Sequence, residues 1–170
     1  MPGSAPNFKL DIKTHIIKLY PEKDASVLDV GAGQGTYSDL LIDCVGSLHA
    51  IEVHTPYIEQ FNLTQKYDVV FPVDCRDFDF SQHFYDVIIF GDIIEHLTPL
   101  DAKTVLDRAY ANCHLLIVVV PFKTVQGAVA GVLSEIHLQP DLDPFMMLLR
   151  YPKLKPFKMD DKIGVYLGAR

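Results

Sequence analysis

Apolar positions along this chain fall into two rhythms. Short consecutive apolar runs mark strands buried on both faces. Between them lie stretches where apolar residues recur every three or four positions, as on amphipathic helices. The first such stretch, Phe8 to Leu19, places Phe8, Ile12, His15, Ile16 and Leu19 on one helical face, and Pro21 stops it. Ser26 to Val30 follows as a buried strand, then a glycine-rich turn over 31–35, then a helix from Thr36 to Cys44 closed by Gly46. Leu48 to Val53 is a second strand; Thr55 and Pro56 have the chemistry of an N-cap and first helical residue, for a helix to about Leu63. Val69 to Val73 and Asp86 to Phe90 are the third and fourth strands. Thr98, Pro99 and Asp101 open another helix, with Val105, Leu106, Ala109 and Tyr110 as its packing face. Leu115 to Val120 is the fifth strand, stopped by Pro121. From Phe122 to Pro140, Gly127 and Gly131 interrupt the pattern, and a loop with some helix is expected. Asp143 to Tyr151 reads as helix; Leu154 to Met159 and Ile163 to Leu167 read as two strands joined at Asp160, Asp161 and Lys162.

This alternation predicts an α/β fold: a doubly wound, mostly parallel seven-stranded sheet with helices on both faces and a C-terminal antiparallel strand pair. A length of 170 residues sets one domain over 1–170 as the expectation, with residues 1–6 flexible. The 49% hydrophobic content supplies a core and argues against disorder. The apolar run Leu115 to Val120 is too short to cross a bilayer, and residues 1–7 lack the blocks of a signal peptide. A cytoplasmic protein with no membrane partner is therefore expected. Cys44, Cys75 and Cys113 have no paired spacing and read as reduced, buried thiols. A net charge of −7 disfavours broad nucleic-acid binding, which needs clustered Lys and Arg; Lys153, Lys155 and Lys158 read as solvated lysines. Oligomeric state is not legible.

The first strand runs into Val27-Leu28-Asp29-Val30-Gly31-Ala32-Gly33-Gln34-Gly35-Thr36. Bare glycines let backbone turn sharply and approach a ligand, and the following helix aims free N–H groups at the same place. The dinucleotide fingerprint needs glycine where Thr36 stands. A strand carrying Asp, followed by G-x-G-x-G, resembles motif I of the class I S-adenosylmethionine-dependent methyltransferases. Three further strand ends suit that resemblance. Glu52, with Val53 beside it, offers two acceptor oxygens to ribose hydroxyls. In the resembled family an acid at the position of Asp74 takes the adenine amino group, and the next backbone N–H, here that of Cys75, meets the ring. Gly91 stands where backbone passes the methionine part. The resemblance thus implies cofactor contacts by Asp29, Gly31, Ala32, Gly33, Gly35, Glu52, Val53, Asp74, Cys75 and Gly91, with Tyr37 as a cover.

Methyl transfer is an in-line displacement at an activated sulfonium methyl, so the protein must mainly align donor and acceptor. An oxygen nucleophile also needs its proton removed, by a base or with a metal's help. The fourth strand runs into Gly91-Asp92-Ile93-Ile94-Glu95-His96-Leu97. One helical turn there would put Asp92, Glu95 and His96 on one face. The segment resembles that of the small-molecule O-methyltransferases. The ubiquinone-pathway O-methyltransferases and the small-RNA terminal 2′-O-methyltransferases carry Glu-x-x-Glu-His here, with a later histidine completing a metal site. By that resemblance Asp92, Glu95, His96 and His137 are candidate catalytic residues and candidate ligands of a divalent metal such as Mg²⁺ or Mn²⁺. Asp for the first Glu shortens that arm by a methylene. Glu95 and His96 acting without metal, or simply holding the neighbouring loop, are the alternatives; Glu135 is a weaker candidate.

No Asn/Asp-Pro-Pro-Tyr/Phe motif and no Pro-Cys follows the fourth strand, which disfavours amino-group methylation of nucleobases or glutamine in that manner and cytosine C5 methylation. The expectation is an S-adenosylmethionine-dependent enzyme methylating a small molecule, at oxygen. Two other functions stay open: a cofactor-binding module without turnover, and an NAD-dependent oxidoreductase.

Overall fold

The computed structural model describes residues 8–169; the flexible tail expected over 1–6 lies outside them. Seven strands form one sheet in the order β3-β2-β1-β4-β5-β7-β6. They are β1 (Ser26–Val30), β2 (Ser47–Ile51), β3 (Val69–Phe71), β4 (Tyr85–Gly91), β5 (Cys113–Pro121), β6 (Lys155–Met159) and β7 (Ile163–Ala169). The pairings among β1 to β5 are parallel; β7 runs antiparallel between β5 and β6. The hairpin expected at the C-terminus thus exists, with its second strand, not its first, inserted against β5.

Alternate residues of the central strands feed two separate cores, which is why their sequences are apolar throughout. Leu28, Ile88, Phe90, Leu116 and Val118 join one cluster; Val27, Val87, Ile89, Leu115 and Ile117 join the other. The first is covered by α5 (Pro99–Ala111) through Ala102, Val105, Leu106 and Ala109, and by Met147 of α6 (Pro144–Arg150). The second is covered by α1 (Lys9–Leu19) through Ile12 and Ile16, by α2 (Thr36–Leu41) through Tyr37 and Leu41, and by Leu63 of α4 (Leu63–Lys66). Leu19, expected on the packing face of α1, is exposed.

The start of α5 follows its sequence signature: the Thr98 hydroxyl accepts from the Asp101 N–H at 3.2 Å, with Pro99 in the first turn. Other helix ends depart from expectation. Thr55 is not a cap but the first residue of α3 (Thr55–Gln60), because the Glu52 carboxylate takes the His54 N–H at 2.7 Å and turns the chain one residue earlier. The helix expected to reach Leu63 breaks at Asn62, whose φ of 52° is left-handed, and α4 restarts beyond it. α2 ends at Leu41, not Cys44, where the Cys44 N–H bonds back three residues to the Leu41 carbonyl at 2.8 Å. No helix among the described residues is long and apolar enough to cross a membrane.

Candidate active site

Strand order reverses between β1 and β4, and ligands of open α/β sheets bind at the carboxyl ends of strands at such a switch point. A cavity of about 350 Å³ lies there. One wall is the turn after β1, with Gly31, Ala32 and Gly33; beside it stand Glu52 and Val53 after β2, then Asp74 and Cys75 after β3. Gly91, Asp92, Glu95 and His96 continue the wall after β4, and the β5–α6 connection closes over with Thr124, Gln126, Glu135 and His137. Tyr37, at the start of α2, also lines it.

Gly33 has φ 53°, and a Cβ built there meets nothing closer than the Gly31 carbonyl oxygen at 3.9 Å. The glycine therefore leaves open space, and that space is the cavity. Gly91 serves differently: a side chain there would overlap the Tyr37 ring.

Several N–H groups of the turn itself are taken by the protein. Those of Gly31 and Ala32 bond to the Ile51 carbonyl at 2.8 and 3.1 Å, and that of Gly35 to Ala32 at 2.8 Å. The Gly33 N–H donates to Glu52 Oε2 at 2.8 Å, while Oε1 accepts from His54 N–H at 2.7 Å. The Glu52 carboxylate is thereby fixed beside the turn. Burial pushes the Glu52 carboxyl upward, opposed by these two hydrogen bonds. Each of its oxygens keeps a lone pair for a further donor.

Two of the cofactor residues expected from sequence lie outside the lining. Gly35 caps α2 under the Lys66 side chain, which a Cβ would meet at 2.7 Å. Asp29 is buried below the turn; Tyr67 donates its hydroxyl to Oδ2 at 2.5 Å, while Oδ1 has no partner. Burial raises its carboxyl to about 7. Asp74 lines the cavity, but it also holds Arg76, whose Nη2 lies 2.6 Å from Oδ2 and whose hydrogen bonds keep the carboxyl below its ordinary value.

The Glu-His segment forms a 3-10 turn over Ile94–His96. Glu95 is 1% exposed, and neither carboxylate oxygen has a hydrogen-bond partner. Burial, then Asp92, drive its carboxyl well above the ordinary value. The His96 and His137 rings meet edge to face at 4.7 Å. His96 Nδ1 lies 3.3 Å from the Ile136 carbonyl and His137 Nδ1 lies 2.8 Å from that of Thr124. A carbonyl oxygen only accepts, so each Nδ1 carries the proton, and in the neutral ring Nε2 keeps its lone pair. Burial, then His137, lower His96 to about 4.

Donor atoms of Glu95, His96 and His137 lie within 4.8 Å of one another. Asp92, expected as a fourth member, lines the cavity but stands outside this group. Its φ is 57° and its N–H is fixed to the Val119 carbonyl at 3.0 Å, so it does not continue the turn that carries Glu95 and His96. Sequence reasoning missed Arg76, Thr124, Gln126, Val129 and Ser134, which also line the cavity.

A family model described as a methyltransferase domain matches residues 27–114. No curated protein matches the chain significantly. Among solved structures, the N-terminal domain of EvdMO1 with SAH bound is 14% identical with a TM-score of 0.69, covering 98% of this chain and 83% of that one. The N-methyltransferase NodS from Bradyrhizobium japonicum WM9 is 13% identical with a TM-score of 0.65, covering 97% of each chain. Magnesium protoporphyrin IX methyltransferase (ChlM) from Synechocystis PCC 6803 with bound SAM is 11% identical with a TM-score of 0.67, covering 100% of this chain and 86% of that one. With a glycine turn opening on a cavity at the sheet's switch point, this sheet order and a match over β1 to β5, the chain belongs to the methyltransferase domain family and has the class I, Rossmann-like fold.

Proposed function

We propose that the cavity binds S-adenosylmethionine and that the protein transfers its methyl group to a hydroxyl of a small molecule. The observation that carries the cofactor assignment is the Glu52 carboxylate on the Gly33 N–H. It presents fixed acceptor oxygens to the hydroxyls of a nucleoside, beside a turn in which Thr36 replaces the last glycine of the dinucleotide fingerprint. The ribose rests on Glu52 and the adenine between Val53, Asp74 and Cys75. The methionine part runs past Gly31 to Gly91 under Tyr37, whose buried hydroxyl has no partner.

In the reaction the S–CH₃ bond breaks and its electron pair stays on sulfur, giving the neutral thioether. The acceptor oxygen supplies the pair for the new C–O bond and loses its proton. His96 and His137 present Nε2 lone pairs to take that proton, at a position their Nδ1–H bonds fix. The acidic group of Glu95 lies in the same wall.

The same donors fit a divalent metal. Glu95 has two orphaned buried oxygens, and with one nitrogen from each histidine the set is two nitrogens and a carboxylate. Donors bound to one ion at roughly 2.1 Å each stand no more than about 4.2 Å apart, so a group spanning 4.8 Å must close slightly. Such a donor set favours Mn²⁺ or Zn²⁺ over Mg²⁺, which prefers oxygen ligands. When bound, the ion would supply Lewis acidity toward the acceptor hydroxyl.

Parallel calorimetric titrations with SAH and NAD⁺ test the assignment. Saturable binding of SAH alone is expected; saturable binding of NAD⁺ without SAH would overturn it. For the metal, calorimetry with Mn²⁺ on wild type and His137→Ala should show a site that the substitution removes. Equal binding by both proteins would refute this donor set.

A further inference from the structure

The wall of the cavity beyond Gly91 is rich in acidic groups. It carries the carboxyl groups of Asp92, Glu95 and Glu135 and the rings of His96 and His137. Arg76 is the one lysine or arginine among the described residues lining the cavity, and it is held by Asp74 in the connection after β3. Asp92 lies in the field of Lys9 of α1.

Glu135 lies in the field of His54 and His137. It ends the 3-10 turn Leu133–Glu135 in the β5–α6 connection, half-buried against the cavity. Among the described residues its carboxylate makes neither a hydrogen bond nor an ion pair; its backbone N–H bonds to the Val132 carbonyl at 3.3 Å and its carbonyl accepts from Gln126 Nε2 at 2.7 Å. Two further groups point to an absent ligand: Glu95, 1% exposed, and the Tyr37 hydroxyl, 3% exposed, both lining the cavity without hydrogen-bond partners. A buried polar group without a partner is costly.

We propose that the acceptor is a hydroxylated amine: its ammonium group is held by Glu135 while its hydroxyl faces His96 and His137. The inference rests on the cofactor assignment above. An acceptor carrying phosphate or carboxylate at this position meets like charge and finds no lysine or arginine to receive it. Glu135 is then the residue that selects for charge, by contact with a part of the acceptor remote from the methylated oxygen.

Three probes with one carbon skeleton test this: serinol, glycerol and glycerol phosphate, which are cationic, neutral and anionic. Each is titrated into SAH-saturated full-length protein with EDTA present, and the His96 and His137 ring resonances are followed by NMR. SAH saturation is first established by calorimetry on the same samples, so failure there sinks the cofactor assignment separately. Serinol should shift both histidines saturably, with an apparent affinity about tenfold or more above that of glycerol, the usual advantage of a charge-assisted hydrogen bond. Glycerol phosphate should be weakest, and Glu135→Gln should erase the preference for serinol. Equal affinity for serinol and glycerol, tightest binding of glycerol phosphate, a preference surviving in Glu135→Gln, or no shift with any probe would each overturn the proposal.

Discussion

Asp29 makes a quantitative prediction about stability against pH. Burial moves its carboxyl from 3.8 to about 7, against the opposing hydrogen bond from Tyr67. A group whose folded value is raised binds more protons when folded than when unfolded, so its contribution is present at low pH and is lost as pH rises through about 7. Linkage with those two values gives a loss of about 2.5 kcal/mol between roughly pH 5 and pH 8. Glu52, Glu95 and Glu135 are shifted in the same direction and His96 in the opposite stability sense, so the wild-type profile alone does not isolate Asp29. Asp29→Asn does. The amide keeps an oxygen for the Tyr67 hydroxyl but has no carboxyl to ionise. Urea denaturation of both apo proteins across this range should show their stability difference shifting by about 2.5 kcal/mol in favour of the variant as pH rises. Parallel profiles would refute the reasoning and mean that Asp29 is ionised in the fold.

Three other substitutions or titrations probe neighbouring links. Gly33→Val should retain the fold by circular dichroism, at a backbone cost of about 1–2 kcal/mol for a left-handed residue, yet lose SAH binding because the side chain enters the cavity. Retained SAH affinity would place the ligand elsewhere. Glu52→Ala should weaken SAH by about 1–3 kcal/mol, the worth of hydrogen bonds to buried hydroxyls, measured by calorimetry where the variant is folded; unchanged affinity would deny Glu52 the ribose. In NMR, the His96 ring should titrate near pH 4, since burial and His137 disfavour its charged form; an ordinary midpoint would mean that the ring is solvated.

The parts of the fold legible in the sequence are those fixed by local pattern. β1 was readable to the residue because Ser26 to Val30 is apolar on both faces except at Ser26 and Asp29, and α5 because Thr98, Pro99 and Asp101 form a capping signature. The cavity wall was legible for the same local reason: strand ends of a parallel sheet share an edge, so Gly31, Gly33, Glu52, Asp74 and Gly91 had to converge. What escaped depends on distant parts of the chain. Nothing near Asp29 announces Tyr67, which binds it across 38 positions of sequence. The β5–α6 connection carries no regular period, so only the structure brings Thr124 and Gln126 over the cavity alongside the candidates Glu135 and His137. The expected shared face of Asp92, Glu95 and His96 assumed a continuous helical turn. The left-handed Asp92 backbone, tied to Val119, sets that residue apart.

A crystal structure of the protein grown with SAH tests the central claim most directly. The adenosyl group should pack against Gly31 to Gly33, with both ribose hydroxyls on the Glu52 carboxylate and the sulfur directed toward the wall that carries His96 and His137. Density for SAH at any other place, or an empty cavity at saturating SAH, would contradict it.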